Sequence, residues 1–401
     1  MIRFERQRVL VVGAGVAGSA AAIRLDPARF DVTMVDRATF PRFKVCGGCL
    51  GVRGRTCFER LGVWDSVRPV CRDVDRWRGY ADGATVTLAI PPGIAVARED
   101  LDGRMHRRCV ERGVTFLSPC DARLIAAEND AVAVTIKHDD QSRSERFDWV
   151  IAASGLAGLN LSGAGLGWVD PPSGPFGAAF RIARVSGLDE RNGDRTRGDG
   201  DGCDGNSRGI IHMVCGDDGY VGLVRLVDGS FEVAAAIHGP ATMTRRSESK
   251  SRGDGGSVAA SDHHGRCDPL DRINRWLAEA SMAIDRDDLL TPVLTTPPLR
   301  RRRRSVGGRV IAIGDAAGYV EPFTGQGMTW AMESAIELAD AMNIDPAAAA
   351  TRWRRRSIGA DQKRCGWITR QLRHPAKRSF AIGALRYLPW VAGPIARRMT
   401  A

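Results

Sequence analysis

The chain has 401 residues, is 43% hydrophobic and carries a formal net charge of +11, so it has enough apolar content to bury a substantial core and too much to remain disordered. Its ten cysteines are scattered, which excludes a small disulfide scaffold and makes a reducing cytoplasm the default setting. The positive balance admits acidic ligands, an anionic membrane surface or nucleic acid without choosing among them.

Arg3, Arg6 and Arg8 ahead of the apolar run Val9 to Ile23 imitate a secretory leader, but glycines interrupt the run. No later run approaches the roughly 20 apolar residues of a membrane helix. Arg8 to Val12 reads as a buried strand, Val16 to Leu25 as a small-residue helix and Asp31 to Val35 as a second strand, giving a β-α-β unit. Within it, VVGAGVAG sets Gly13, Gly15 and Gly18 in the GxGxxG spacing between strand and helix. The first glycine permits a tight turn, the second lets backbone approach a pyrophosphate, and the third lets helix pack closely on strand. Asp36, 18 residues beyond Gly18, ends the second strand. There its carboxylate can accept from both ribose hydroxyls, a contact of about 1.5–3 kcal/mol. Arg37 beside it joins the candidate cofactor contacts.

The next stretch, FKVCGGCLG from Phe43 to Gly51, spaces Cys46 and Cys49 as C-x-x-C around Gly47 and Gly48. A redox dithiol, a zinc knuckle and a loop kept small to admit a flat ligand all fit that spacing. A dithiol of this type draws its low pKa from a helix N-terminus in a thioredoxin-like setting, which is not evident here. Zinc needs two further ligands, and no second close Cys or His pair stands out. The preferred reading is a loop whose glycines bring backbone close to a planar ring, and no metal site is expected.

Arg98 to Gly113 reads as a helix, and Asp121 to Ala153 as three strands with turns at Asn129–Asp130 and Asp139 to Ser144, a meander inserted into a parallel-sheet fold. Beyond Gly167 short strands at Gly209 to Val214, Gly219 to Leu226 and Phe231 to Ile237 suggest a second, antiparallel layer. Two segments near 189–208 and 244–268 are rich in Gly, Asp, Arg and Ser and read as mobile surface insertions. Arg300 to Arg304, five consecutive arginines, read as a solvated loop ahead of a strand rather than a nucleic-acid or lipid patch, since no nucleic-acid-binding signature accompanies them. Arg309 to Ile313 returns to a buried parallel strand, followed by Gly314–Asp315 and a helix from about Gly327 to Met342. The remainder reads as a helical tail packed on its own body, with peripheral membrane contact as the alternative.

VIAIGDAAGYVEPFTGQGMTWAMESA, taken with the first glycine motif, resembles the FAD-dependent oxidoreductases that include geranylgeranyl reductases, FixC-type proteins and aromatic-hydroxylase-like monooxygenases. PRFKVCGGCL, Pro41 to Leu50, is similar to the geranylgeranyl reductase branch. The resemblance covers 8–50, 96–160 and 306–340. It implies a Rossmann-like α/β FAD domain with an inserted meander, assembled from 1–75, 96–165 and 300–342. An antiparallel substrate domain would come from 76–95 and 166–299, and a helical C-terminal region from 343–401. By the same resemblance Asp315 holds the ribityl chain, and backbone N–H groups at Gly325, Gly327 and Met328 face the flavin pyrimidine edge. Donors at a helix N-terminus would favour the negative charge of the reduced ring. Arg98, in R-x-x-L-D, resembles the arginine lying along the cofactor, and Arg42 one near its phosphates or ring. Cys46, with Gly47 and Gly48, is the candidate catalytic stretch on the substrate side.

One departure concerns the run after the third meander strand. Ser154–Gly155 stands where monooxygenases of this type carry Asp–Gly, which weakens the transfer of a hydroxylase mechanism. No second strand-GxGxxG-helix unit serves a nicotinamide, so NAD(P)H visits transiently or another donor, such as a protein, replaces it. The expected function is flavin hydride chemistry on an apolar polyprenyl- or polyketide-like molecule. The alternatives are hydroxylation of an aromatic or polyketide ring and a flavin electron-transfer protein. A halogenase is disfavoured, because the tryptophan-rich signature and a lysine in matching context are not found. The expected location is cytoplasmic, without a transmembrane segment.

Overall fold

Gln7–Val12 and Phe30–Val35 pair in parallel, with the helix Val16–Arg24 crossing between them. The computed structural model describes residues 5–128, 130–156, 158–169, 173–188, 209–239, 268–321 and 325–354, with 363, 365–367, 370–371, 377–378 and 383–384. Of the two polar segments expected as insertions, 189–208 and 244–267 lie outside the described residues.

Six strands form the first sheet, in the order Val306–Gly307, Val310–Ala312, Trp149–Ala152, Gln7–Val12, Phe30–Val35 and Thr115–Leu117. The VLVV run is apolar throughout because both faces are covered. Val9 and Val11 point into the helices, while Leu10 and Val12 point into the meander with Val134 and Ile136. Helix Gly327–Ile344 packs on Val16–Arg24, both rich in small residues that allow the axes to approach. The meander is Cys120–Ala127, Val132–His138 and Gln141–Phe147. The stretch expected as three strands therefore holds four, since Trp149–Ala152 leaves the meander for the parallel sheet. Its second turn is shorter than expected. Asp139 and Asp140, both at positive φ, make it alone, and Gln141 to Ser144 already lie in the strand.

The second sheet has nine strands, in the order Gly318–Tyr319, Leu294–Arg302, Ser173–Ile182, Phe231–Ile237, Gly219–Arg225, Gly209–Gly216, Arg72–Ala81, Ala84–Ala95 and Cys49–Leu50. It is antiparallel except where Gly209–Gly216 meets Arg72–Ala81. Strand Arg72–Ala81 runs across the boundary expected at residue 75, and Cys49–Leu50 carries the glycine-rich loop to the far edge. The arginine run is a correction: Arg300 to Arg302 end the strand Leu294–Arg302 instead of forming a loop before one. Helix Pro269–Glu279 covers one face. Asp268 caps its N-terminus by accepting from Leu270 N, and Pro269 takes the first position, where no amide hydrogen is missed. Its Leu270, Ile273, Trp276 and Leu277 pack onto Phe180, Leu223 and Val233. The opposite face looks towards the first sheet. Helix Gly327–Ile344 runs two residues past its expected end, and Pro346–Arg354 follows.

Phe180 is fully buried beneath helix Pro269–Glu279. Phe180→Ala is expected to lower stability by about 3–5 kcal/mol in a denaturant melt, the cost of a large aromatic cavity.

Candidate functional site

The glycine motif builds an open, electropositive crevice. Gly13 sits at φ +107, and a Cβ there would lie 2.5 Å from Ala153 O. At Gly18 a Cβ would lie 1.8 Å from Gly13 O, so that residue serves helix-on-strand packing. Gly15 faces cations: its Cβ would stand 3.4 Å from Lys44 Nζ, 3.5 Å from Arg98 Nη2 and 3.9 Å from Arg42 Nη2. No side chain caps the helix Val16–Arg24 that begins there, so its first amides and dipole add to the positive field.

Arg98 is 3% exposed and grips Asp102, one turn further along helix Arg98–Glu111, at 2.8–3.1 Å through Nε and Nη2. His106 on the same helix bonds Ala14 O through Nε2 at 2.6 Å. Burial holds its pKa below the usual value, so the ring is neutral and donates. Asp36 accepts from Ala14 N and Ala38 N at 2.9 Å and from Arg42 Nη2 at 3.4 Å. Its carboxylate thus also stitches the glycine loop to the end of the second strand. Burial first, then Arg98 and Arg42, depress the Lys44 pKa, while Asp315 opposes them. Burial raises the Asp315 carboxyl against the pull of Lys44 and Arg98.

A single cavity of about 1000 Å³ joins these groups to the second sheet. Gly13, Gly15, Asp36, Arg37, Arg42, Arg98, Asp315, Gly325, Gly327 and Met328 line it, together with Cys46 and Gly47. Gly18 and Gly48 do not. Gly325 holds φ +73, and no side chain caps the helix that starts at Gly327. The far wall comes from alternate residues of neighbouring strands: Gly177, Gly222, Ala234 and Ala236 form a flat floor, with Trp77, Leu88, Ile90, Ile211 and Met213 around it. Small side chains leave depth for a flat body.

The two glycines of CGGC therefore have different reasons, which corrects the expectation that both admit a ring. Gly47 faces the cavity, and a Cβ on it would meet nothing nearer than Ala234 Cβ at 3.9 Å. Gly48 holds φ +66, with a Cβ position 3.2 Å from both Val96 O and Glu232 Cγ, so its glycine serves the turn. Cys46 Sγ accepts from Gly48 N at 3.4 Å, and the positive charge of Arg98 acts on the thiol against its burial. Burial raises the pKa of both Cys46 and Cys49. Both stay protonated near neutrality, which does not favour a thiolate-driven dithiol.

Lys44, Asp102, His106, Glu232 and the pair Tyr220–Glu321 were not singled out from the sequence. Lys44 lies inside the quoted PRFKVCGG, and Asp102 completes R-x-x-L-D at helical i,i+4 spacing, so a signal existed for both. Glu232 sits in a strand reading FEVAAAI, where one carboxylate among apolar residues is the clue. It is 1% exposed, and Arg181 Nε is 3.8 Å away, beyond hydrogen-bond reach. Burial pushes its pKa up to about 8, with Arg181 opposing and Glu99 reinforcing. Tyr220 and Tyr319 line the cavity, and Tyr220 bonds Glu321, which is 2% exposed and lifted to about 7 by burial. Ser154, at the departure noted above, accepts from Leu159 N at 3.0 Å. A Cβ on Gly158 would lie 2.0 Å from Ser154 Oγ, so serine here closes a turn.

No family model matches the chain. Over 128 residues it is 36% identical to the menaquinone reductase of Mycobacterium tuberculosis, 31% of each protein. A p-nitrophenol 4-monooxygenase from Pseudomonas putida superposes with TM-score 0.68 at 15% identity, over 96% of this chain and 94% of that one. The flavin-dependent halogenase CmlS does so with TM-score 0.64 at 18% identity, over 92% and 64%. The fold is that of the FAD-dependent monooxygenases and halogenases. The match to the menaquinone reductase spans about a third of that protein's length.

Gly48→Ala is expected to impair folding or flavin retention far more than Gly47→Ala, as read by expression and melting temperature. Glu232 supplies a pH test. A carboxyl with a folded pKa near 8 against 4.5 unfolded contributes stability that is full below pH 4.5 and is lost as pH rises to about 8. Against Glu232→Gln, the wild-type melting temperature should therefore fall progressively across pH 4.5–8.

Proposed function

We propose that the chain is an FAD-dependent oxidoreductase acting on an apolar polyprenyl- or polyketide-like substrate by flavin hydride transfer. The observation that carries this reading is the one continuous cavity, with phosphate-binding elements at one end and an apolar, small-residue wall at the other. The residues fit FAD: Gly15 with Lys44, Arg98 and the uncapped helix N-terminus suits the diphosphate, Asp36 the adenosine ribose, Asp315 the ribityl chain. The helix start at Gly327–Met328 suits the pyrimidine edge. When bound, FAD supplies two-electron hydride chemistry.

The protein's part is to orient the substrate against the ring, exclude water and deliver a proton. Reduction of a C=C bond needs a proton on the carbon next to the one that takes the hydride. Tyr220 stands at the wall with Glu321 behind it to restore that proton, and Cys46 approaches from the loop side. The partial match to a menaquinone reductase supports a substrate with a prenylated ring, since a flat head suits the Gly177–Ala234 floor and a tail suits the Trp77–Ile90 side. NAD(P)H serves as a transient donor.

Hydroxylation is the second reading, supported by the fold shared with p-nitrophenol 4-monooxygenase. Ser154 weighs against it as the replacement of the expected acidic residue. Anaerobic reduction with NADH and NADPH followed by oxygen admission separates the two. A reductase consumes little oxygen without substrate, whereas substrate-stimulated oxygen uptake matched to product would transfer the assignment to hydroxylation.

Asp36→Ala and Asp315→Ala are each expected to lower FAD occupancy of the purified protein, measured by flavin absorbance. Tyr220→Phe should keep FAD and slow substrate turnover by about 10²–10⁴-fold, the usual range for a lost general acid. Unchanged turnover would remove Tyr220 from that role.

A further inference from the structure

A second cavity, of about 270 Å³, shares Leu156 with the flavin chamber and is walled by Asn160, Trp168, Arg301 and Arg303. The arginine run passes beside it. Arg301 Nη1 donates to Leu156 O at 2.6 Å and its Nε to Pro298 O at 2.8 Å, which ties it to the chamber wall. Arg303 lies over the Trp168 ring at 3.7 Å, with Arg301 5.2 Å from the same ring. Its Nε is buried without a hydrogen-bond partner. Trp168 and Arg303 also face each other across an antiparallel bridge, which fixes the stack.

Two guanidinium groups brought together need a counter-charge, and among the described residues neither has a carboxylate partner. Burial and the neighbouring Arg301 hold the Arg303 pKa down to about 10, which reflects an unneutralised pair. Stacking on tryptophan pre-orients the planar donor fork of Arg303, the geometry suited to phosphate. The volume is below the roughly 300–1,000 Å³ of a whole cofactor pocket and admits one phosphorylated end of a molecule.

We propose that Trp168, Arg301 and Arg303 form a phosphate- or diphosphate-binding site beside the flavin chamber. It receives the phosphorylated end of a molecule whose reacting part enters that chamber past Leu156. Two sources share this chemistry: a nicotinamide dinucleotide donor and a phosphorylated substrate. Assignment to the donor rests on the flavoenzyme reading, whereas the oxoanion site does not.

The test is calorimetric titration of the FAD-saturated protein with inorganic pyrophosphate, with FAD occupying the Gly15 crevice. Wild type should bind saturably, Arg303→Gln at least tenfold more weakly, and Arg303→Lys in between, because it keeps the charge and loses the fork. Trp168→Leu should also weaken binding, with flavin content and melting temperature unchanged in the Arg303 variants. Competition by NADPH assigns the site to the donor. Binding of pyrophosphate without such competition keeps the site and assigns it to a phosphorylated substrate. Absence of saturable binding, or equal affinity in Arg303→Gln, overturns the proposal. Should the chain take up no flavin, the flavoenzyme reading fails by itself, and the same titration without flavin still decides the site through its dependence on Arg303.

Discussion

The buried ion pair between Arg98 and Asp102 is the constraint on which the site depends. Two desolvated charges are costly unless their geometry satisfies them, and here three short contacts do so. The guanidinium is then held where it meets the Gly15 turn and Cys46 at once. One turn further on, His106 fixes the carbonyl of Ala14, so a single helix bears on both the glycine crevice at Gly15 and the CGGC loop. Glu99, beside Arg98, pairs with Arg181 of the second sheet at 3.1 Å and ties this helix to that sheet. Removing Asp102 alone would leave Arg98 buried with its main partner lost, and the damage would reach all of these contacts.

Charge in the chamber is graded. Arg42, Lys44 and Arg98 crowd one end, where burial and mutual repulsion depress the Lys44 pKa and leave a demand for an anion. At the other end the floor is glycine and alanine, and of the titratable groups that approach it Tyr220 is held protonated by burial, while Glu321, lifted to about 7 by burial, is only partly ionised near neutrality. A ligand with a charged, extended half and a flat, weakly polar half matches that gradient. The same reasoning separates the glycines of CGGC: Gly47 leaves space in the chamber, and Gly48 makes a left-handed turn that lets the loop close over Glu232.

Much of the first sheet was legible because its signals are local. Gly13, Gly15, Gly18 and Asp36 carry spacing, and the VLVV run carries burial. The second sheet was legible only as strands, since its order depends on pairings between distant segments, such as Cys49–Leu50 with Ala84–Ala95. The three-stranded meander is legible, but the fourth strand of the segment merges with the third because Phe147 and Trp149 read as one apolar run, although Asp148 between them accepts from Arg8 N and redirects the chain into the parallel sheet. Glu232 and Glu321 were missed for a related reason. A lone carboxylate in a strand gains meaning only from what the fold packs around it. Arg301 and Arg303 looked like solvated charges until Trp168, more than a hundred residues away, was brought beneath them.

A crystal structure of the protein saturated with FAD tests the central claim most directly. Density for the diphosphate between Gly15 and Lys44, the adenosine ribose at Asp36 and the isoalloxazine between Gly47 and the start of helix Gly327–Ile344 would bear it out. Flavin bound elsewhere, or the cavity of about 1000 Å³ left without flavin at saturating concentration, would contradict it.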